Sequence, residues 1–296
     1  MKKRAGIGQW SLTVIMGTFA LLCLLPVILI VIVSFSSEES IMQKGFSFFP
    51  AAWSLDAWKY VTGYGRQMVV SYGVTIFITV VGTLLDLTVE GMFAYTLSRS
   101  AFRMRKVFST MVLITMLFSG GQVASYMVNT SFYKMQDTLW ILILNGVGAM
   151  HVIIMRTYIQ GTLSEALIES AKIDGASEYR TAFQVVMPCM IPALASVGFM
   201  KAIGYWNGWQ KAYLYITDPN KTPLSLLLMK IEKNVEFLAQ NENEISAEMY
   251  AAISKTIPSE TARMAILLAA LGPILLAYPF FQRYFVKGIT IGSVKG

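Results

Sequence analysis

The sequence predicts an all-α, polytopic membrane protein with about six transmembrane helices. Three observations lead there. Of 296 residues, 55% are hydrophobic and only 14% charged, where soluble domains carry about 25% charge. The mean hydropathy is +0.56. The apolar residues also gather into six runs, each long enough to supply the roughly 20 residues that a helix needs to cross the hydrocarbon core.

The first run covers 12–35 and follows Lys2, Lys3 and Arg4. A cleaved signal peptide also starts basic, but its apolar region is only about 7–15 residues long. This run is longer and lacks a small-residue cleavage site, so it reads as a retained span. Pro26 inside it is tolerable, because membrane helices accept proline when neighbours satisfy the freed backbone groups. Residues 36–67 are mixed, and Trp53, Trp58, Tyr60 and Tyr64 suit a membrane–water interface. The second run, 68–97, ends in Arg99, Arg103, Arg105 and Lys106, the strongest orientation signal in the chain.

A third run, 107–128, is broken by Gly120 and Gly121. A fourth, 138–155, ends at Arg156, and a polar, helix-rich stretch follows at 157–187. The fifth run is 188–206. Beyond it lies a long polar segment containing Glu232, Glu236, Glu242, Glu244 and Glu248, read as external. The sixth run, 264–281, ends in Arg283 and Lys287. Alternation across six spans places both termini in the cytoplasm, with the basic clusters inside.

The net charge of +7 does not point to nucleic acid. The basic residues sit at the ends of apolar runs, and no interleaved aromatic and basic surface accompanies them. Cys23 and Cys189 lie in apolar stretches without metal or disulfide spacing. His151 has no second histidine or nearby carboxylate in sequence, so a zinc site is not expected. It reads as a packing or hydrogen-bonding histidine.

The polar stretch after the fourth run carries the most information. It holds a short amphipathic helix on which Ala166, Glu169 and Ile173 share a face by three-and-four spacing. Gly175 can take the left-handed conformation that ends a helix. Pro188 falls where a first helical turn tolerates proline. Glu169-Ser170-Ala171, three residues, Gly175, nine residues and Val185-Val186-Met187-Pro188 resemble the cytoplasmic loop of bacterial ABC importer permeases. That loop has the pattern Glu-Ala-Ala, three residues, Gly, nine residues, Ile-x-Leu-Pro. Serine replaces one alanine here, and Asp174 and Ala176 extend the match to the form common in sugar permeases.

Ala94-Tyr95-Thr96-Leu97-Ser98-Arg99 is similar to the end of the second span in that group. Phe285-Val286-Lys287-Gly288 resembles the ending of the maltose-permease group. The strings around Ser119-Gly120-Gly121 and at 292–296 resemble an oligosaccharide or aldouronate-type subgroup.

The resemblance implies the type I ABC importer permease fold. Residues 1–67 would form the N-terminal span and external connection, 68–283 the permease core with the coupling loop at 157–187, and 284–296 a cytoplasmic tail. It implies that Glu169, Ser170, Ala171, Asp174, Gly175 and Ala176 dock on a separate ATP-binding cassette ATPase dimer. The implied partners are a second homologous permease, expected as a heterodimer, an extracytoplasmic sugar-binding protein and membrane lipid. The setting is the bacterial cytoplasmic membrane. No Gly-x-x-x-x-Gly-Lys-Ser/Thr loop occurs, so ATP and Mg belong to the partner ATPase and no cofactor is expected on this chain.

Asp86 and Glu90 lie four residues apart in the second run, and Lys201 lies in the fifth. Ionisable residues in spans cost about 2.5–3.5 kcal/mol each on insertion scales, so they face a partner or a wet cavity. Two readings stand: a translocation path, or an Asp86–Lys201 structural pair with Glu90 snorkelling to the cytoplasmic side. Trp206, Asn207 and Trp209 close the fifth run. Aromatic faces and amides suit sugar, and tryptophan there equally suits the interfacial belt. A secondary transporter without an ATPase is the alternative function. A membrane-embedded transferase or protease would need a nucleophile–base or metal constellation that one histidine and two scattered cysteines do not supply.

Overall fold

In the computed structural model, residues 7–63, 65–240 and 260–292 are described, and they are helical nearly throughout. The basic residues at 2–4, the acidic Glu242, Glu244 and Glu248, and the terminal string after Gly292 lie outside them.

Helix α1 (Ile7–Ser34) contains Pro26 and, at about 1.5 Å per residue, is roughly 42 Å long. Its lateral surface is open: Leu12, Val14, Ile15, Phe19 and Leu21 are all more than half exposed. Helix α2 (Glu38–Lys44) is capped by Ser37, whose hydroxyl accepts from the Ser40 amide. Helix α3 (Asp56–Gly63) follows, and Phe35 stacks on Trp58 with ring centroids 5.5 Å apart.

Helix α4 (Gly65–Ser98) is 34 residues long. Its buried face runs Ser71, Thr75, Ile78, Gly82, Asp86, Glu90, Ala94 and Leu97, a three-and-four repeat of mostly small or polar residues. Val69, Ile76, Phe77, Val80, Leu84 and Val89 are exposed. This is the expected inversion for a membrane helix, because small and polar groups gain by packing inward while lipid accepts the aliphatic face.

Helix α5 (Arg105–Leu117) and helix α6 (Gly121–Met127) meet at a bend of 112° when α6 is taken with the π turn Val128–Phe132. Gly121 takes φ +79° there. The expected fourth span is likewise not one helix. Helix α7 (Leu139–Ile143) stops, residues 144–148 run without helix, and helix α8 (Ala149–Thr162) starts. Asn145-Gly146-Val147-Gly148 carries the physical cause, since Gly146 sits at φ +76° and glycine weakens helix continuity.

Helix α9 (Glu165–Ile173) leads through helix α10 (Glu178–Arg180), a π turn (Thr181–Val186) and helix α11 (Met187–Cys189) into helix α12 (Ile191–Asn207). The α10–α11 stretch and α12 are bent by 81°. Helix α13 (Gln210–Tyr215), helix α14 (Leu224–Gln240) and helix α15 (Glu260–Gly292) complete the chain. Among the described residues two helices are long and apolar enough to cross a membrane, or up to four if each bent pair is one span.

The chain divides into two compact units, 1–66 with 230–273 and 67–229 with 274–296. In the first, Glu38 accepts from the amides of Glu260 and Thr261 at 3.1 and 3.2 Å and from the Thr261 hydroxyl at 3.0 Å. A carboxylate thus caps the start of α15, where the helix dipole favours negative charge. The second unit holds two apolar clusters. One includes Val74, Ile78, Ile141, Leu142, Ile143, Tyr215 and Leu226. The other includes Ala94, Leu97, Val152, Met155, Ile168, Val186 and Val197. Helix α4 contributes to both, and Asp86 and Glu90 lie on it between them.

Candidate functional site: a charged cluster at a broken helix and an exposed loop motif

Asp86 and Glu90 are one helical turn apart on α4, so both carboxylates reach the same neighbour. That neighbour is Lys201 of α12. Its Nζ lies 2.8 Å from Asp86 Oδ2 and 2.7 Å from Glu90 Oε1. The side chains are 9%, 1% and 10% exposed for Asp86, Glu90 and Lys201 respectively. The structural pair weighed from sequence is therefore a triad. Glu90 does not snorkel to the cytoplasmic side: it is held inside by Lys201 and by the Gly148 amide, which donates to Oε1 at 2.6 Å.

The remaining contacts explain why charge is kept there. Within residues 144–148 the Gly148 N–H and the Leu144 carbonyl fall outside the helical bonding pattern, and unpaired backbone costs several kcal/mol in an apolar setting. Side chains supply the partners. Glu90 takes the Gly148 N–H. Lys211 Nζ donates to Leu144 O at 3.0 Å and to Asn145 Oδ1 at 2.8 Å. Tyr205 Oη lies 2.7 Å from Ile143 O and 3.0 Å from Asp86 Oδ2, so one hydroxyl proton faces two acceptors. The ring of Tyr205 fits only because residue 82 is glycine: a Cβ there would sit 2.5 Å from Cζ. His151 Nδ1 and Glu90 Oε2 are 3.5 Å apart, and neither atom has a hydrogen-bond partner among the described residues. The sequence offers Asp86, Glu90 and Lys201 as candidates. It carries no sign of Lys211, Asn145 or the Gly148 amide, nor of the contacts that Tyr205 makes here, because these cross about 60 to 120 residues of sequence.

Trp206, Asn207 and Trp209 separate. Trp206 is buried, its ring centroid 6.5 Å from that of Tyr72. Asn207 and Trp209 line a cavity of about 250 Å³ together with Asn145, Gln210 and Lys211.

The second constellation is the α9–α10 loop. Ile168 is buried and anchors α9 in the apolar cluster around Val152 and Val186. Ala166, Glu169, Ser170, Asp174 and Gly175 are exposed, and Ala171 and Ala176 half-buried. Ile173 is 86% and Tyr179 72% exposed. Gly175 has φ +83°. Its N–H donates to Lys172 O and the Ala176 N–H to Ala171 O, each at 3.0 Å. This pair of bonds is a Schellman closure, which needs a left-handed residue at the glycine position. Glu178 ties the loop to α4 by accepting from Tyr95 Oη at 2.8 Å, and pairs within the loop with Lys172 of α9. Ser100 Oγ donates to Glu165 at 2.6 Å. The anchoring roles of Glu178 and Glu165 had no signal in the sequence beyond their presence in the loop.

The chain matches no family model. It is 35% identical over 280 residues to a polygalacturonan/rhamnogalacturonan transport system permease protein, YtcP, of Bacillus subtilis (strain 168), covering 94% of each chain. It is 36% identical over 282 residues to protein LplC of the same organism, covering 95% of this chain and 92% of that one. Among solved structures it is similar to a bacterial ABC transporter involved in the import of the acidic polysaccharide alginate. There the TM-score is 0.79 at 27% identity, over 96% of this chain and 100% of that one.

Proposed function

The chain belongs to the permease subunits of sugar ABC transport systems, and on that premise we propose that it carries an acidic oligosaccharide across the bacterial cytoplasmic membrane. The relatives favour an ATP-driven importer over a secondary transporter. A uronate-bearing substrate is supported by the names of two of them, one for polygalacturonan and rhamnogalacturonan, the other for alginate. All three polymers carry carboxylates.

The observation that carries the coupling role is α9 with its Schellman closure at Gly175. One face is pinned to the chain through Ile168, and the other presents Ala166, Glu169 and Ile173 to solvent. Such a helix transmits motion: an ATPase dimer gripping its outer face moves Ile168, the π turn and α12 with it. The tie from Glu178 to Tyr95 passes the same displacement to α4. Helices α4 and α12 meet at Asp86, Glu90 and Lys201, so the triad holds the two together as they move. ATP is bound with Mg and hydrolysed on the partner, and this chain takes no catalytic part. A second homologous permease completes the path as a heterodimer, and an extracytoplasmic binding protein delivers the sugar.

Co-expression with a tagged ATPase tests the coupling role. Glu169→Lys is expected to leave the permease in the membrane, to reduce recovery of the ATPase and to abolish uptake. Full recovery and normal uptake would remove the support for α9 as the docking element.

A further inference from the structure

Lys211 differs from the cation of the triad. Its Nζ has two acceptors, Leu144 O and Asn145 Oδ1, and an ammonium has three N–H donors. Among the described residues no carboxylate oxygen lies within ion-pair distance of it, whereas Lys201 has two. Lys211 therefore keeps a donor and a charge without a paired anion, and it borders the cavity that Asn145, Asn207, Trp209 and Gln210 also line.

The chemistry of that lining is mixed in a specific way. The Trp209 indole, with Ile78, Leu142 and the Tyr205 ring, offers apolar surface for the C–H side of a pyranose ring, three amide side chains offer donors and acceptors for hydroxyls, and one ammonium offers a single positive charge. At about 250 Å³ the space falls below the roughly 300–1,000 Å³ of pockets that hold drug-sized ligands, so it suits one sugar residue and not a chain. We propose that this cavity is a subsite for a single uronate residue of the transported oligosaccharide, with Lys211 as the residue that recognises its carboxylate.

The proposal rests on the reading of this permease as a carrier of acidic oligosaccharides, and it adds the residue that makes the selection. A competing role for Lys211 is to offset the negative charge left over at Asp86 and Glu90 and to hold the 144–148 break together. That role is blind to the charge of the sugar.

The test uses the whole transporter, purified with its partner permease and ATPase, and two probes on the same sugar backbone, one charged and one neutral: digalacturonate and its dimethyl ester. Binding is measured by calorimetry, and ATP-driven uptake of labelled digalacturonate is measured in proteoliposomes with the binding protein present. The wild-type complex is expected to bind the diacid at least tenfold more tightly than the diester. Lys211→Gln should weaken diacid binding at least tenfold and leave diester binding within about threefold. Lys211→Arg should retain diacid binding within about threefold. Trp209→Ala should weaken both probes alike.

Equal loss of both probes in Lys211→Gln would overturn the proposal in favour of a structural lysine. Unchanged diacid binding in that variant would overturn it outright, as would uptake of digalacturonate without measurable binding of either probe. If Lys211→Gln fails to assemble, the wild-type comparison still decides, because equal affinity for diacid and diester excludes charge recognition. A wild-type transporter that takes up neutral oligosaccharides but no uronate would overturn the underlying reading instead.

Discussion

At the scale of single residues, the cost of burying charge controls what is kept. Asp86, Glu90 and Lys201 share one another's charge within 2.8 Å, and breaking a buried pair costs about 3–5 kcal/mol because a charge is left behind. Asp86→Asn and Lys201→Met are each expected to lower the thermal stability of the purified permease. The double variant should lose less than the sum, and strictly additive losses would show the two residues to be independent. Asp137 makes a second residue-scale case, outside the spans. Its carboxyl is held below the ordinary carboxylate range, chiefly by the amide of Asp218 and then by Thr217, acting against partial desolvation. A carboxylate whose folded pKa is depressed adds stability above its unfolded value, about 3.9, and loses it as pH falls through the lower folded value. Amide exchange at Thr217 and Asp218, corrected for intrinsic rates, should therefore rise below about pH 4. Asp137→Ala should reproduce that rise at neutral pH, and unchanged protection in the variant would sever the link.

At the scale of elements, helix ends set the directions of the helices they close. Gly175 at φ +83° closes α9. A β-branched residue there costs on the order of 1–3 kcal/mol in backbone strain, although no atom obstructs the added side chain. Gly175→Val is expected to insert in the membrane and to lose both ATPase recovery and transport, while Gly175→Asn retains more, since asparagine tolerates the left-handed region. Equal behaviour of the two variants would contradict a conformational cause. Glu38 does the corresponding work at the start of α15 with three accepted hydrogen bonds. Glu38→Ala should destabilise by about 1–2 kcal/mol and raise hydrogen exchange in the first turn of α15. Unchanged exchange there would mean that water caps the helix equally well.

At the scale of the molecule, the expected orientation follows from where the basic residues sit. Arg99, Arg103, Arg105 and Lys106 bracket the turn between α4 and α5, and positive clusters remain on the cytoplasmic side. A reporter fused after residue 105 should behave as cytoplasmic, and one fused near residue 240 as exported. The reverse pattern would overturn the six-span arrangement with cytoplasmic termini. The same side must hold α9, so the reporter and the ATPase-recovery experiments constrain each other.

Composition and local pattern alone pointed to the bilayer as solvent and to the helical class, and the resemblance of one loop to an ABC permease motif offered it as the ATPase-docking element. Each depends on residues near in sequence: apolar runs of bilayer length, and Glu169, Gly175 and Pro188 at fixed spacing within one loop. The helix break at 144–148 was also written locally, in Asn145-Gly146-Val147-Gly148, but its apolar neighbours concealed it within one run of hydropathy. Sequence supplied Asp86, Glu90 and Lys201 as candidates without choosing between path and pair. Only the tertiary structure decided that they form a triad, and that Tyr205, Lys211 and the Gly148 amide join them at the break. The physical reason is that unsatisfied backbone must find partners wherever the fold brings polar side chains. Here those partners come from α4, α12 and α13, which no local pattern places together.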